Sequence, residues 1–311
     1  MKMHDGEVDI DARVVRRLVA VQFPRFGDLP VHAVRSTGTV NAIYRLGDRL
    51  CARLPRMREW EGDLEKEWLW LPRLAPHVTL RIPEPVERGR PDDAYPFAWA
   101  IFDWIEGRPY ADDLVPDEHR AATDLARFVR ELRRMETGDG VPRGGRRPLR
   151  DLDEATREAI AGSGGVVDAG AAAAAWERAL DAPLWDGTPV WIHTDLLRPN
   201  LLVDGGRLRA VIDFGGMGAG DPAADIVPAW SVFGAAGRAA YRDALAVDDG
   251  MWERARGYAL HQAMIIPYYA ETSPDFVALG AHGGAGPRGR ARVARPLPSP
   301  ARGPARGRPA W

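Results

Sequence analysis

The chain has 311 residues, 45% of them apolar, with 42 Lys and Arg against 44 Asp and Glu for a net charge of −2. That length predicts one large or two coupled domains whose core needs no disulfide staple. The single cysteine, Cys51, excludes an intramolecular disulfide and a Cys-rich zinc site, and with neither a signal-type leader nor a run of about 18 apolar residues we expect a cytoplasmic protein with no membrane partner.

Asp9 can cap a first helix whose apolar stripe is Ile10, Val14, Leu18 and Val21. Strand-like pieces follow at Val31–Ser36, Ile43–Leu46 and Leu50–Leu54, the last two joined by a Gly47-Asp48 turn. They read as a hairpin with the glycine-bearing segment Thr37–Asn41 at its open end. Glu61–Leu74 has helical spacing, with Leu64, Trp68 and Leu71 on one face, and Phe97–Ile105 is a strongly apolar strand. Asp117–Met135 is helical, Gly138–Arg150 is a basic loop, and Leu152–Ala161 and Ala169–Leu180 are helical again. Val190–His193 and Leu201–Val203 are short strands around a polar turn, Leu208–Ile212 is another, and Gly215–Asp221 is a loop. Most of the remainder to Tyr269 is helical. Strands first and helices later argue an α+β fold rather than a doubly wound sheet.

The strongest chemical signal is His193-Thr194-Asp195-Leu196-Leu197-Arg198-Pro199-Asn200, followed by Val211-Ile212-Asp213-Phe214-Gly215. A hairpin would bring Asp195, Asn200 and Asp213 to the same end of two strands. Two carboxylates and an amide oxygen are hard ligands suited to Mg²⁺ with bound phosphates, and one carboxylate is left to take a proton from an attacking hydroxyl. Any one of these residues could merely cap a turn. Together they match the division of labour in phosphoryl transfer, with one Asp as base and Asn and a second Asp on metal.

Here the chain resembles the aminoglycoside phosphotransferase family, kin of the protein kinases. The resemblance rests on His193-Thr194-Asp195, Asn200, Ile212-Asp213, Gly220-Asp221-Pro222 and Asp225, and covers roughly Val31 to Phe276. It implies a two-lobed protein-kinase-like fold, with an N-lobe (1–104) of antiparallel sheet and one helix and a mostly helical C-lobe (105–279). It also implies ATP or GTP and Mg²⁺ as cofactors and a small-molecule hydroxyl as acceptor. By it Asp195 is the base, Asn200 and Asp213 hold metal, and His193, Asp221 and Asp225 support the catalytic loop. Thr194 stands where the family usually has glycine, which would be strained if the position needs a positive φ.

The family's phosphate-holding strand lysine has no lysine counterpart here, since Lys2 and Lys66 are the only two. On Leu50–Leu54 alternation puts Leu50, Ala52 and Leu54 on one face and Cys51 and Arg53 on the other, so Arg53 takes the lysine's place. Its helical partner would be Glu67, with Glu61 the alternative and Lys66 facing solvent. Gly38, Thr39 and Asn41 resemble the phosphate-covering turn, and Asp103, Trp104 and Ile105 resemble the inter-lobe hinge, where Trp104 could equally be a core aromatic. Acceptor-site candidates are Asp112, Asp113, the Gly138–Arg150 loop and Trp230.

Gly280–Trp311 contains 7 Arg, 7 Gly, 7 Ala and 6 Pro and no acidic residue, so the preceding body holds all 44 acidic and 35 basic side chains, a net −9. We read this tail as disordered, the product of a GC-rich gene read out of frame rather than a basic arm for nucleic acid or membrane. No nucleic-acid partner is expected. The rivals to a small-molecule kinase are a metal-dependent phosphoesterase and a non-catalytic or impaired nucleotide-binding relative. A eukaryotic-type protein kinase is disfavoured, because Gly220-Asp221-Pro222 follows Gly215 at once, with no activation segment ending in Ala-Pro-Glu.

Overall fold

A computed structural model describes residues 7–34, 40–163 and 167–269. Helix α1 (Ala12–Gln22) is capped by Asp11, not Asp9. Asp11 sits directly before the first helical residue in extended conformation, so its carboxylate accepts from the N–H groups of Arg13 and Val14. The buried stripe shifts accordingly to Val15, Leu18 and Val19, and Val21 is 68% exposed.

Strands β1 (Val31–Ala33), β2 (Asn41–Leu46), β3 (Leu50–Pro55), β4 (Pro85–Gly89) and β5 (Trp99–Asp103) form one antiparallel sheet in the order β1-β2-β3-β5-β4. The period-2 alternation of strand side chains divides this sheet cleanly. Tyr44, Leu46, Ala52, Leu54, Trp99 and Ile101 pack under α1. Cys51, Ala100 and Phe102 face the other way, toward helix α2 (Glu61–Leu74) and the rest of the molecule. The expected strand at Phe97–Ile105 is shorter, because Phe97 precedes it and Trp104 and Ile105 follow it as the connection out of the sheet.

Beyond β5 come β6 (Arg108–Pro109), α3 (Glu118–Arg133, capped by Asp117), α4 (Asp153–Ala161) and α5 (Ala169–Asp181). Then follow β7 (Val190–Ile192), β8 (Leu201–Asp204), β9 (Arg207–Val211), β10 (Gly218–Gly220), α6 (Pro228–Ser231), α7 (Ala235–Leu245) and α8 (Asp249–Tyr269). Strands β6, β8 and β9 make a three-stranded antiparallel sheet, and β7 pairs with β10. The segment 215–221, expected to be loop, thus contains a strand. Gly218-Ala219-Gly220 carries no side-chain alternation to read, and it is held by backbone pairing alone. One continuous core joins these helices and strands, with Phe128, Trp176, Trp191, Phe214 and Tyr241 fully buried within it. Among the described residues no helix is long and apolar enough to cross a membrane.

Candidate active site

The β8–β9 hairpin sets the geometry. Leu201 lies opposite Val211, and the Ile212 N–H donates to the Asn200 carbonyl at 2.9 Å. Asn200 and Asp213 therefore leave the same end of the hairpin. Asn200 Nδ2 donates to the Asp195 carbonyl at 2.9 Å and to Asp195 Oδ2 at 2.8 Å, which brings the third residue to the group.

Two of the residues here occupy the left-handed region: Thr194 at φ 75° and Asp213 at φ 65°. The positive φ that a β-branched residue resists is thus present at Thr194, at a cost of order 1–3 kcal/mol for each such residue. Asp225, fully buried, accounts for its persistence. One carboxylate oxygen accepts the Thr194 N–H at 2.7 Å and the other the His193 N–H at 2.8 Å. His193 braces the same loop from within. Its Nδ1 accepts the Asp195 N–H at 3.2 Å, and its Nε2 lies 3.2 Å from the Ile212 carbonyl, to which it donates. Burial pushes its pKa down to about 3, so it is a neutral spacer between the two loops. Asp221 accepts the Ala223 N–H and both arms of Arg254, at 3.1 and 3.2 Å, which fastens α8 behind the loop.

Asp195 itself is pushed up to about 6, first by burial and then by the facing Asp213 carboxylate, against the Arg146 guanidinium and the Asn200 amide. Among the described residues no three His, Cys, Asp or Glu side chains are arranged to hold a metal. The oxygen donors here are two carboxylates and one amide.

On β3 and α2, Arg53 and Glu67 meet as two forks, with Nη1 2.8 Å from Oε2 and Nη2 3.1 Å from Oε1. Burial pulls Arg53 down, but the Glu67 and Asp213 carboxylates outweigh it and hold the guanidinium above its ordinary value. The Phe102 ring lies 4.9 Å from the guanidinium. Glu67 Oε1 also accepts the Phe214 N–H at 2.8 Å, so one carboxylate joins strand β3, helix α2 and the loop carrying Asp213. Glu61, the alternative partner, accepts from Ala98 N–H instead. Lys66 does not stand free in solvent: it is 18% exposed and pairs with Asp63 at 3.3 Å.

At the expected hinge, the Asp103 N–H donates to the Glu84 carbonyl and the Trp104 N–H to the Arg49 carbonyl. The Asp103 carboxylate is taken by Arg81 and the Glu84 N–H. Among the described residues the Ile105 N–H has no such partner. Trp104 is half-buried against the core, with the Arg45 guanidinium 4.6 Å over its ring, so it packs as a core aromatic. Asn41 opens β2 with its Oδ1 buried and unpartnered among the described residues, whereas Gly38 and Thr39 lie outside them. Of the acceptor candidates, Asp112 pairs with Arg198 at 2.8 Å and Trp230 stacks at 4.4 Å on Trp252; Asp113 is exposed. Two arginines were not singled out from the sequence: Arg198, which also donates to the Val232 carbonyl, and Arg146, which donates to the Thr194 carbonyl. Arg198 sits inside the motif and could have been flagged there. Arg146 lies in the Gly138–Arg150 loop, which was singled out only as a whole, and nothing in a loop without periodicity distinguished it from the other arginines there.

The family model described as "Phosphotransferase enzyme family" matches residues 33–259. No curated protein matches the sequence. Among solved structures, the GDP and kanamycin complex of APH(2")-IIia is 21% identical, with a TM-score of 0.68 over 86% of this chain and 95% of that one. The streptomycin–ATP ternary complex of APH(2")-IIa is 16% identical, with a TM-score of 0.59 over 88% and 95%. Macrolide 2'-phosphotransferase MphH from Brachybacterium faecium is 21% identical, with a TM-score of 0.59 over 90% and 99%. At such identities the likeness speaks for the fold, the two-lobed α+β arrangement of kinase-like phosphotransferases. With the family match extending over most of the chain, the protein belongs to the phosphotransferase enzyme family.

Proposed function

We propose that the protein transfers the γ-phosphoryl group of ATP or GTP to a hydroxyl of a small molecule, as a cytoplasmic kinase with an N-lobe to residue 104 and a C-lobe from 105. One observation carries the reading. Asp195, Asn200 and Asp213 converge at one end of a hairpin, and Glu67 bridges the Asp213 loop to Arg53 through the Phe214 N–H. Solved relatives named as aminoglycoside and macrolide phosphotransferases, with GDP or ATP bound in some, support the acceptor class and the nucleotide.

The donor set fits Mg²⁺. The Asp195 and Asp213 carboxylates face one another, Asp195 being raised first by burial and then by Asp213, and too few protein oxygens are present for a closed cage, which suits an ion that completes its shell with phosphates and water. Asn200 and Asp213 would hold it, and it would supply positive charge against the nucleotide phosphates. Asp195 orients the acceptor hydroxyl and receives its proton as the oxygen bonds to the γ-phosphorus and the bond to the nucleoside diphosphate breaks. Arg53, its fork occupied by Glu67, keeps a buried Nε without a partner among the described residues, a donor that a phosphate oxygen satisfies. The Asp103 carbonyl and Ile105 N–H serve the adenine edge, and Gly38 and Thr39, with Asn41, cover the phosphates. His193, Asp221 and Asp225 hold the loop.

The test is nucleotide consumption with ATP and GTP over a panel of aminoglycosides, macrolides and small hydroxylated amines. The expected result is acceptor-dependent turnover that falls on the order of 10²–10⁴-fold in Asp195→Asn. Full turnover in that variant removes Asp195 from the role. The strained Thr194 favours one rival, an impaired nucleotide-binding relative, which would show thermal stabilisation by nucleotide without turnover of any acceptor.

A further inference from the structure

The loop between α3 and α4 carries Arg143, Arg146, Arg147 and Arg150. Three of these are exposed, and Arg146 turns inward. Its Nη2 donates to the Thr194 carbonyl at 3.0 Å and to Gln262 Oε1 on α8 at 3.2 Å, and its Nε is buried without a partner among the described residues. Drawing a guanidinium out of water is costly unless something opposes the loss. Burial pulls Arg146 below its ordinary value, and the Asp195 carboxylate is the largest charge holding it up.

Its position is built by the backbone rather than reached by a long side chain. The Gly144 N–H donates to the Ala219 carbonyl at 3.1 Å, and the Ala219 N–H to the Pro142 carbonyl at 2.7 Å. A Cβ at Gly144 would lie 2.6 Å from the Gly218 nitrogen, and one at Gly220 would lie 2.5 Å from the Gly144 carbonyl oxygen. Loop and strand β10 therefore meet backbone to backbone, and Arg146 is delivered two residues later to the peptide that joins Thr194 to Asp195. Asp225 already holds the N–H on the other side of Thr194.

We propose that Arg146 is a positioning residue for phosphoryl transfer: with Asp225 it grips both sides of the left-handed Thr194, fixing the direction in which Asp195 presents its carboxylate, and Gln262 fastens that grip to α8. This rests on the phosphotransfer reading above. Arg146 touches neither nucleotide nor metal in this role. Its loss should therefore separate turnover from nucleotide binding, a split that a simple packing role would not give.

The experiment compares full-length wild type with Arg146→Ala, Arg146→Lys, Gln262→Leu and the Arg146→Ala/Gln262→Leu double variant. It reads kcat and KM with the best acceptor from the screen, or with water as acceptor. It also reads the Kd of a fluorescent ADP analogue and the Tm. We expect kcat to fall about 10–100-fold in Arg146→Ala, the scale of a misplacement near 1 Å, with the ADP-analogue Kd and nucleotide KM unchanged within about twofold. Gln262→Leu should lose less, and the double variant should be no worse than Arg146→Ala, because the two act as one unit. Added guanidinium ion should recover part of the lost kcat. A folded Arg146→Ala with wild-type kcat overturns the proposal, as does a loss in which kcat, nucleotide affinity and Tm fall together. If Arg146→Ala does not fold, Arg146→Lys and Gln262→Leu carry the same split, since a lysine keeps the charge but not the fork. A wild type that turns over no nucleotide overturns the phosphotransfer reading and this proposal with it, whereas active wild type with indifferent variants overturns this proposal alone.

Discussion

Thr194 concentrates the residue-scale logic of the site. Its φ of 75° is one that glycine adopts freely and a β-branched residue resists, yet Asp225 holds its N–H and Arg146 its carbonyl. Its hydroxyl fits because residue 216 is glycine: a Cβ there would lie 2.2 Å from Thr194 Oγ1. Thr194→Gly should therefore keep turnover and gain about 1 kcal/mol or less of stability in denaturant melts, the relief of strain being partly offset by the freer unfolded chain. Loss of activity would mean that the hydroxyl itself matters. At this scale the sequence was informative wherever chemistry lies close along the chain. Asp195 and Asn200 are five residues apart, and the period of two in β3 was enough to turn Arg53 inward. Arg146 is far from them in sequence and meets them only through folding.

At the scale of elements, the informative unit is α2 with β3. Glu67 fastens both to the Phe214 N–H, so the helix holds the sheet and the Asp213 loop in one arrangement. Removing one partner of such a buried pair strands the other, at a cost of about 3–5 kcal/mol. Glu67→Gln should lower the Tm by several degrees and weaken nucleotide binding, read by calorimetry and ADP-analogue titration. Replacing the pair together, as Arg53→Met with Glu67→Leu, should recover the Tm but not nucleotide binding; recovery of both would make the pair merely structural. Helix α2 was legible with its ends because an apolar stripe and an acidic first turn mark it. Strand β10 was not, since glycine and alanine give no alternation, and the pairing of β7 with β10 rather than with the hairpin is a tertiary choice. The first helix start slipped by two residues because Asp9 and Asp11 both stand close before it, and only geometry picks the one that reaches the free N–H groups.

For the whole molecule, buried histidines set the response to acid. His193 is held down to about 3 and His261 to about 4, both first by burial, while in the unfolded chain each titrates near 6.5. A base whose folded pKa is depressed contributes stability above 6.5 that is lost as pH falls, because the unfolded state then binds the extra proton. At His261 the Arg146 and Arg147 charges add to burial, while its Nδ1 donates to Thr156 Oγ1 at 2.7 Å, the Thr156 hydroxyl itself donating to the Leu152 carbonyl. Between pH 7 and 5 the Tm of His261→Asn should fall less steeply than that of the wild type; an equal or steeper fall would remove His261 from this role. The two-lobed plan could be anticipated because the C-lobe motif residues fix a fold as well as a chemistry. The uneven charge, with net −9 in the body, told nothing of the lobes, and the tail at 280–311 lies outside the described residues.

With arginine at position 53, the phosphate-holding role proposed above would fall to a side chain that carries no amine. Acylating reagents that carry a nucleotide to an amine find only two lysines in the chain, and Lys66 is occupied with Asp63 away from the Arg53–Glu67 pair. An amine-directed tag would therefore leave Arg53, the phosphate-holding residue proposed above, unmarked.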